Sequence, residues 1–149
     1  MIKLVAQKRN ECYLAVVAML SGKTIKQIRY EAHILCRSLG YLTYDQLWHA
    51  HNGNWYKLEK VLSTRYHIPF WEGCNGSRPG DKPDECTPTL DGRGTIEIVY
   101  IGGTAHIVAF ENGYVFDSIF DKPLAYKQWL KKLNTLHPID TVKVKRIQC

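Results

Sequence analysis

Residues 105–119 read Ala105-His106-Ile107-Val108-Ala109-Phe110-Glu111-Asn112-Gly113-Tyr114-Val115-Phe116-Asp117-Ser118-Ile119. Asn-Gly between two apolar runs is the strongest short-range signal for a hairpin, because both central residues of a type I′ turn need positive φ. With that turn, Glu111 pairs with Tyr114, Val108 stands opposite Asp117, and His106 stands opposite Ile119. Side chains alternate along a strand, so His106 and Val108 share a face. His106 and Asp117 are then diagonal neighbours on one face, at roughly 7–8 Å between Cα atoms, within reach of an imidazole and a carboxylate. A slip of one residue would place them on opposite faces.

The rest of the second half follows the same period of two. Thr95–Ile101 reads as a strand, Gly102-Gly103 as a two-residue turn, Ala105–Glu111 and Tyr114–Ile119 as the hairpin, and Asp140–Ile147 as a closing strand. A helix is expected over about Ala125 to Asn134. Ile68–Glu72 reads as a short edge strand, given Pro69. Gly73–Gly94 holds five glycines and three prolines. A loop of that length in a compact domain is commonly functional, and a lid or specificity insertion is the expectation.

The first half reads as helices. Asn10 is a good N-cap, and the apolar run Cys12–Leu20 ends at Ser21-Gly22, so a helix that is buried on nearly all sides is expected. Thr24 with Gln27 forms a capping-box pattern for a second helix to about Ser38. Thr43 with Gln46 opens a short helix through Ala50, and Asn54 caps a fourth, Trp55–Tyr66. The expected fold class is α+β, one domain over 1–149, with a helical part packed on a small antiparallel sheet.

Composition narrows the function. The chain has 149 residues and is 45% hydrophobic, which suits a single core and argues against disorder. No apolar run is long enough for a membrane span, and Gln7–Glu11 interrupts any signal-like N-terminus. The five cysteines, Cys12, Cys36, Cys74, Cys86 and Cys149, form no Cys-x-x-Cys and are odd in number. Neither a disulfide framework nor a structural metal site is expected, and the expected compartment is the cytoplasm. Net charge is +6, with 20 Lys and Arg against 14 Asp and Glu. The lysines are scattered, so a nucleic-acid partner is not expected. No cofactor is implied.

An Asp that holds a His is the back half of a catalytic triad, fixing the tautomer and stabilising the imidazolium. The front half needs a nucleophile where negative charge is favoured. Cys12, in the first turn of the expected central helix, meets that need through unpaired amides and the helix dipole. A single cysteine in an apolar helix is ordinarily inert packing. The joint pattern of helix-start Cys12, strand His106 and same-face Asp117 is what points to chemistry. Cys36, inside the second helix, reads as core.

The segment Gln7-Lys8-Arg9-Asn10-Glu11-Cys12-Tyr13-Leu14-Ala15-Val16-Val17-Ala18-Met19, together with Thr104–Asp117, resembles the papain-like cysteine peptidases, closest to the bacteriocin-processing, double-glycine-leader type. Tyr13 and Ser118 stand where that type usually carries Gly and Pro. The resemblance implies a papain-like fold with Cys12 as nucleophile, His106 as base, Asp117 as orienter and the Gln7 side chain as oxyanion donor. It implies a protein or peptide substrate. Compact chains of this kind are familiar from bacteriophage genomes, so a phage-encoded enzyme acting in the host cytoplasm is a further expectation. The same triad serves deamidases, transglutaminases and acyltransferases, and a papain-like fold can also act as a basic binding module without catalysis.

Overall fold

The computed structural model describes residues 2–8, 10–50, 53–70 and 90–147. The expected lid at Gly73–Gly94 lies outside the described residues as far as residue 89.

Four helices come first. α1 spans Cys12–Ser21, α2 Ile25–Ser38, α3 Tyr44–His49 and α4 Asn54–Tyr66. Every residue of α1 from Cys12 to Leu20 is buried, so this helix is the centre of the first core, as its uniform apolarity requires. It packs on α2, α4 and the second strand of the sheet. Gly22, at φ 74°, ends α1 by donating its N–H to Ala18 O.

The caps show where sequence chemistry was sufficient and where it was overridden. Thr24 forms the full capping box, its Oγ1 accepting from Gln27 N at 3.1 Å while Gln27 Oε1 accepts from Thr24 N at 2.9 Å. Thr43 caps α3 in the same way, but Gln46 turns back to Leu42 N instead. The expected cap at Asn54 is not formed. Gly53 caps α4, and Asn54 Nδ2 donates across to Tyr41 Oη at 3.1 Å. The expected start of α1 at Asn10 also shifts. Asn10 has φ 65° and lies inside a turn, so Glu11 becomes the N-cap residue and Cys12 the first residue of the helix.

The sheet has five strands, all antiparallel: β1 Arg93–Tyr100, β2 Ala105–Glu111, β3 Tyr114–Phe116, β4 Leu124–Ala125 and β5 Ile139–Arg146. Their order is β4-β3-β2-β1-β5. α5, Tyr126–Leu136, follows β4 directly. The β2–β3 register pairs Glu111 with Tyr114, Phe110 with Val115 and Ala109 with Phe116, as the Asn112-Gly113 turn demands. Both turn residues have positive φ, 48° and 89°, which is the requirement of a type I′ turn.

Several strand expectations need correction. Ile68–Phe70 forms no strand. Pro69 has no N–H to give a ladder, Phe70 packs edge-on against Tyr13 and Tyr56, and its carbonyl accepts from Lys145 Nζ. The Gly102-Gly103 connection is wider than two residues, because Tyr100 N pairs with Thr104 O and leaves three residues in the loop. β1 begins earlier than expected, at Arg93, and takes in Gly94. That glycine is required: a Cβ there would run into the backbone of Lys145 and Arg146 on β5. β3 stops at Phe116, three residues short of Ile119.

The two faces of the sheet carry different cores. Ile107, Ala109 and Phe116 join α1, α2 and α4 on one side. Ile96, Ile98, Val108, Phe110 and Val115 face Trp129 and Leu133 of α5 on the other. By alternation His106 and Asp117 belong to the second face, and Cys12 approaches from the first. No helix among the described residues is long and apolar enough to cross a membrane.

Candidate active site

Asp117 sits one residue beyond β3 because its own side chain ends the ladder. Ile119 N donates to Asp117 Oδ1 at 3.2 Å, and Phe120 N donates to Asp117 O at 3.0 Å. This is a side-chain turn competing successfully with strand pairing. The same Oδ1 lies 3.1 Å from His106 Nε2, so the diagonal neighbours read from the hairpin are in hydrogen-bond contact. Both residues are buried, Asp117 at 1% and His106 at 9% exposed.

With Nε2 on the carboxylate, Nδ1 is the ring nitrogen left for the sulfur. Cys12, the first residue of α1, stands close enough to His106 to interact with the imidazole electrostatically. Cys12 is itself 9% exposed. Burial by itself would drive a proton off His106. The hydrogen bonds of Asp117 and Cys12, and then their charges, outweigh it and push the imidazole well above its ordinary value. Burial would likewise raise Asp117. Its bond to His106 and the charge there, with further donors at Trp129 and Ile119, hold it below the usual carboxylate range instead. The two directions agree, and they describe a ring that keeps its proton beside a carboxylate that stays ionised.

One member of this group is not visible in the sequence pattern. Trp129 Nε1, on α5, donates to Asp117 Oδ2 at 3.0 Å, and Trp129 is fully buried. Asp117 thus has both oxygens occupied, one by His106 and Ile119 N, the other by the indole. Nothing in the sequence singles out Trp129, and its spacing from Asp117 gives no signal for this role.

The start of α1 is held by a second anchor that the sequence did not reveal. Glu11 folds back to accept from Lys8 N at 2.8 Å, closing the turn that contains Asn10. Arg29 of α2 grips the same carboxylate through Nε and Nη2, each at 2.9 Å. Glu11 is buried, and its charge is spent on Arg29, so it fixes the position of Cys12 and takes no proton-transfer role. Cys12 is the first residue of α1, where the N–H groups have no acceptor within the helix itself.

Gln7 lies half-buried in the segment leading into that turn, and its amide makes no hydrogen bond to another described residue. The structure therefore brings Cys12, His106 and Asp117 together and leaves Gln7 nearby in sequence without a contact to them. Cys36 is buried in α2, where burial pushes its thiol up to about 11, as befits an inert core cysteine. Cys74, Cys86 and Cys149 lie outside the described residues. Among the described residues, no group of three His, Cys, Asp or Glu side chains is arranged to hold a metal ion.

No protein-family model, curated protein or solved structure matches the chain.

Proposed function

We infer that this chain is a papain-like cysteine hydrolase that cleaves a peptide or isopeptide bond in a protein substrate. One observation carries the reading. A buried imidazole has its Nε2 on an ionised carboxylate, and a cysteine at a helix N-terminus stands close enough to interact with that ring. Those are the three roles of nucleophile, base and orienter, supplied by three separate elements of the chain.

The chemistry runs in two halves. His106 already holds the proton, so the Cys12 sulfur attacks the carbonyl carbon as the thiolate. The oxyanion is received by the Cys12 N–H, with the Gln7 amide as the second donor expected from the sequence. Each such donor lowers the barrier by roughly 3 kcal/mol. The tetrahedral adduct collapses, the C–N bond breaks, and the amine leaves with the proton from His106. Water then loses a proton to His106 and attacks the thioester. The C–S bond breaks, the Cys12 thiolate leaves beside the reprotonated His106, and the acid product departs. Asp117 keeps the ring in the orientation both halves need.

Two measurements test this. Iodoacetamide near pH 6 should label Cys12 far faster than Cys36 or Cys149, as read by peptide mass spectrometry. Equal slow labelling would remove the nucleophile. A peptide library should then show paired new termini that vanish in Cys12→Ala. A mass gain of about 1 Da at glutamine or asparagine without scission would replace peptidase by deamidase.

A further inference from the structure

Tyr100 is the last residue of β1. Its N–H donates to Thr104 O at 2.8 Å, which carries the β1–β2 register one step past the Val99–Ala105 pair. In that register Ile98 stands opposite His106. Tyr100, two residues on, is therefore the diagonal neighbour of His106 on the same face. Asp117 flanks His106 from the β3 side. The three residues form a row across the sheet, with the imidazole in the middle.

Tyr100 packs partly buried on the α5-side core, and its ring tilts against His137 at 5.3 Å between centroids. The residue is half-buried, and among the described residues its hydroxyl has no hydrogen-bond partner. Burial, followed by the negative charges of Asp117 and Cys12, raises its pKa. The phenol therefore stays a donor over the whole working pH range.

Its side of the site follows from the chemistry already assigned. The oxyanion goes to the tip of α1, where the first N–H groups have no acceptor within the helix. The leaving amine must lie toward its proton donor, His106, and so toward the sheet. Tyr100 is the next side chain along that sheet face.

We propose that the Tyr100 hydroxyl binds the leaving-group side of the substrate, donating a hydrogen bond to the first carbonyl oxygen beyond the scissile nitrogen. This rests on the reading of the chain as a Cys12 hydrolase. It makes Tyr100 a substrate-binding residue that selects for a peptide-like leaving group.

The test uses the acyl-enzyme in reverse. p-Nitrophenyl acetate acetylates Cys12 and releases p-nitrophenolate. An added amine attacks the thioester carbon, the C–S bond breaks, and the amine proton passes to His106 as the thiolate leaves. By microscopic reversibility the amine occupies the place of the leaving group. Glycinamide carries the carbonyl that Tyr100 would bind, and methylamine lacks it. Tyr100→Phe keeps the ring and removes only the hydroxyl. It should lower capture by glycinamide about three- to tenfold relative to capture by methylamine, the worth of one neutral hydrogen bond. An unchanged ratio between the two amines would overturn the assignment of Tyr100 alone. If p-nitrophenolate release by the parent protein is no faster than by Cys12→Ala, the hydrolase reading falls and the Tyr100 assignment falls with it.

Discussion

Replacing Trp129 by phenylalanine separates a positioning role from a packing role, because the two respond differently to pH. The substitution removes the indole N–H that donates to Asp117 Oδ2 at 3.0 Å, between two side chains both shielded from water. A hydrogen bond to a charged acceptor contributes about 1.5–3 kcal/mol. Losing it should lift Asp117 back toward the ordinary carboxylate range. The smaller ring also leaves a void, costing about 1–2 kcal/mol at any pH. Asp117 is held below its ordinary value, so its contribution to stability is present above the unfolded pKa near ~3.9 and is lost as pH falls through the folded value. The deficit of Trp129→Phe should therefore be greatest at neutral pH. It should begin to shrink below about pH 5 and fall toward the void contribution as Asp117 is protonated in both proteins. Urea unfolding of parent and variant at intervals from pH 7 down to pH 3.5 measures this directly. A deficit that stays constant over that range would refute the reasoning and return Trp129 to the role of a core residue.

Two further outcomes are expected. His106 is pushed up to about 10, so it contributes stability below its unfolded value near ~6.5 that is lost as pH rises through the folded value. His106→Gln should flatten the fall in stability between pH 6.5 and 10 seen by chemical denaturation, and it should slow Cys12 alkylation near pH 6 at least tenfold while leaving Cys36 unaffected. An identical pH slope in both proteins would contradict the ring's protonated state. Arg29→Ala leaves the Glu11 carboxylate buried without its cation. Because Arg29 itself is 31% exposed, the cost should be about 1–3 kcal/mol, less than for a fully buried pair. A double-mutant cycle with Glu11→Gln should recover most of it, and additive losses would mean that the pair does not hold the start of α1.

The back half of the site was legible because a single dipeptide fixes it. Asn112-Gly113 dictates the turn, the turn dictates the register, and the register puts His106 and Asp117 on one face. The extent of β3 was not legible, since Asp117 reads equally well as a strand residue. Only the fold decides whether its carboxylate bonds to Ile119 N or leaves the ladder intact. The helix that carries Cys12 was legible from its unbroken apolarity. Its first residue was not, because Asn10 is as good a cap as Glu11 until the Lys8–Glu11 turn closes. Over 68–70 the expected edge strand is absent: Pro69 has no N–H to give a ladder, and Phe70 packs edge-on against Tyr13 and Tyr56.

What escaped the sequence shares one property. Trp129 reaches Asp117 from a separate helix, and Arg29 reaches Glu11 from eighteen positions away. Neither pair has a period or a spacing that local reasoning can use. Both are anchors: they hold the groups that meet in the site and do not touch a substrate themselves. A reacting group must satisfy a narrow chemical demand, such as a thiol at a helix tip or an imidazole beside a carboxylate, so its surroundings mark it. An anchor needs only a donor of the right reach, and many residues on many elements could supply one. Tyr100 falls between these cases. Its diagonal relation to His106 follows from the β1–β2 register, but that register depends on a three-residue loop at 101–103 that the Gly102-Gly103 pair does not specify. Had the connection been the two-residue turn that those glycines suggest, the pairing would have shifted by one, and Tyr100 would face the opposite core. The placement of Tyr100 beside the imidazole is thus a consequence of one loop length, and inserting or deleting one residue there should uncouple it from the site while leaving the His106–Asp117 hairpin in register.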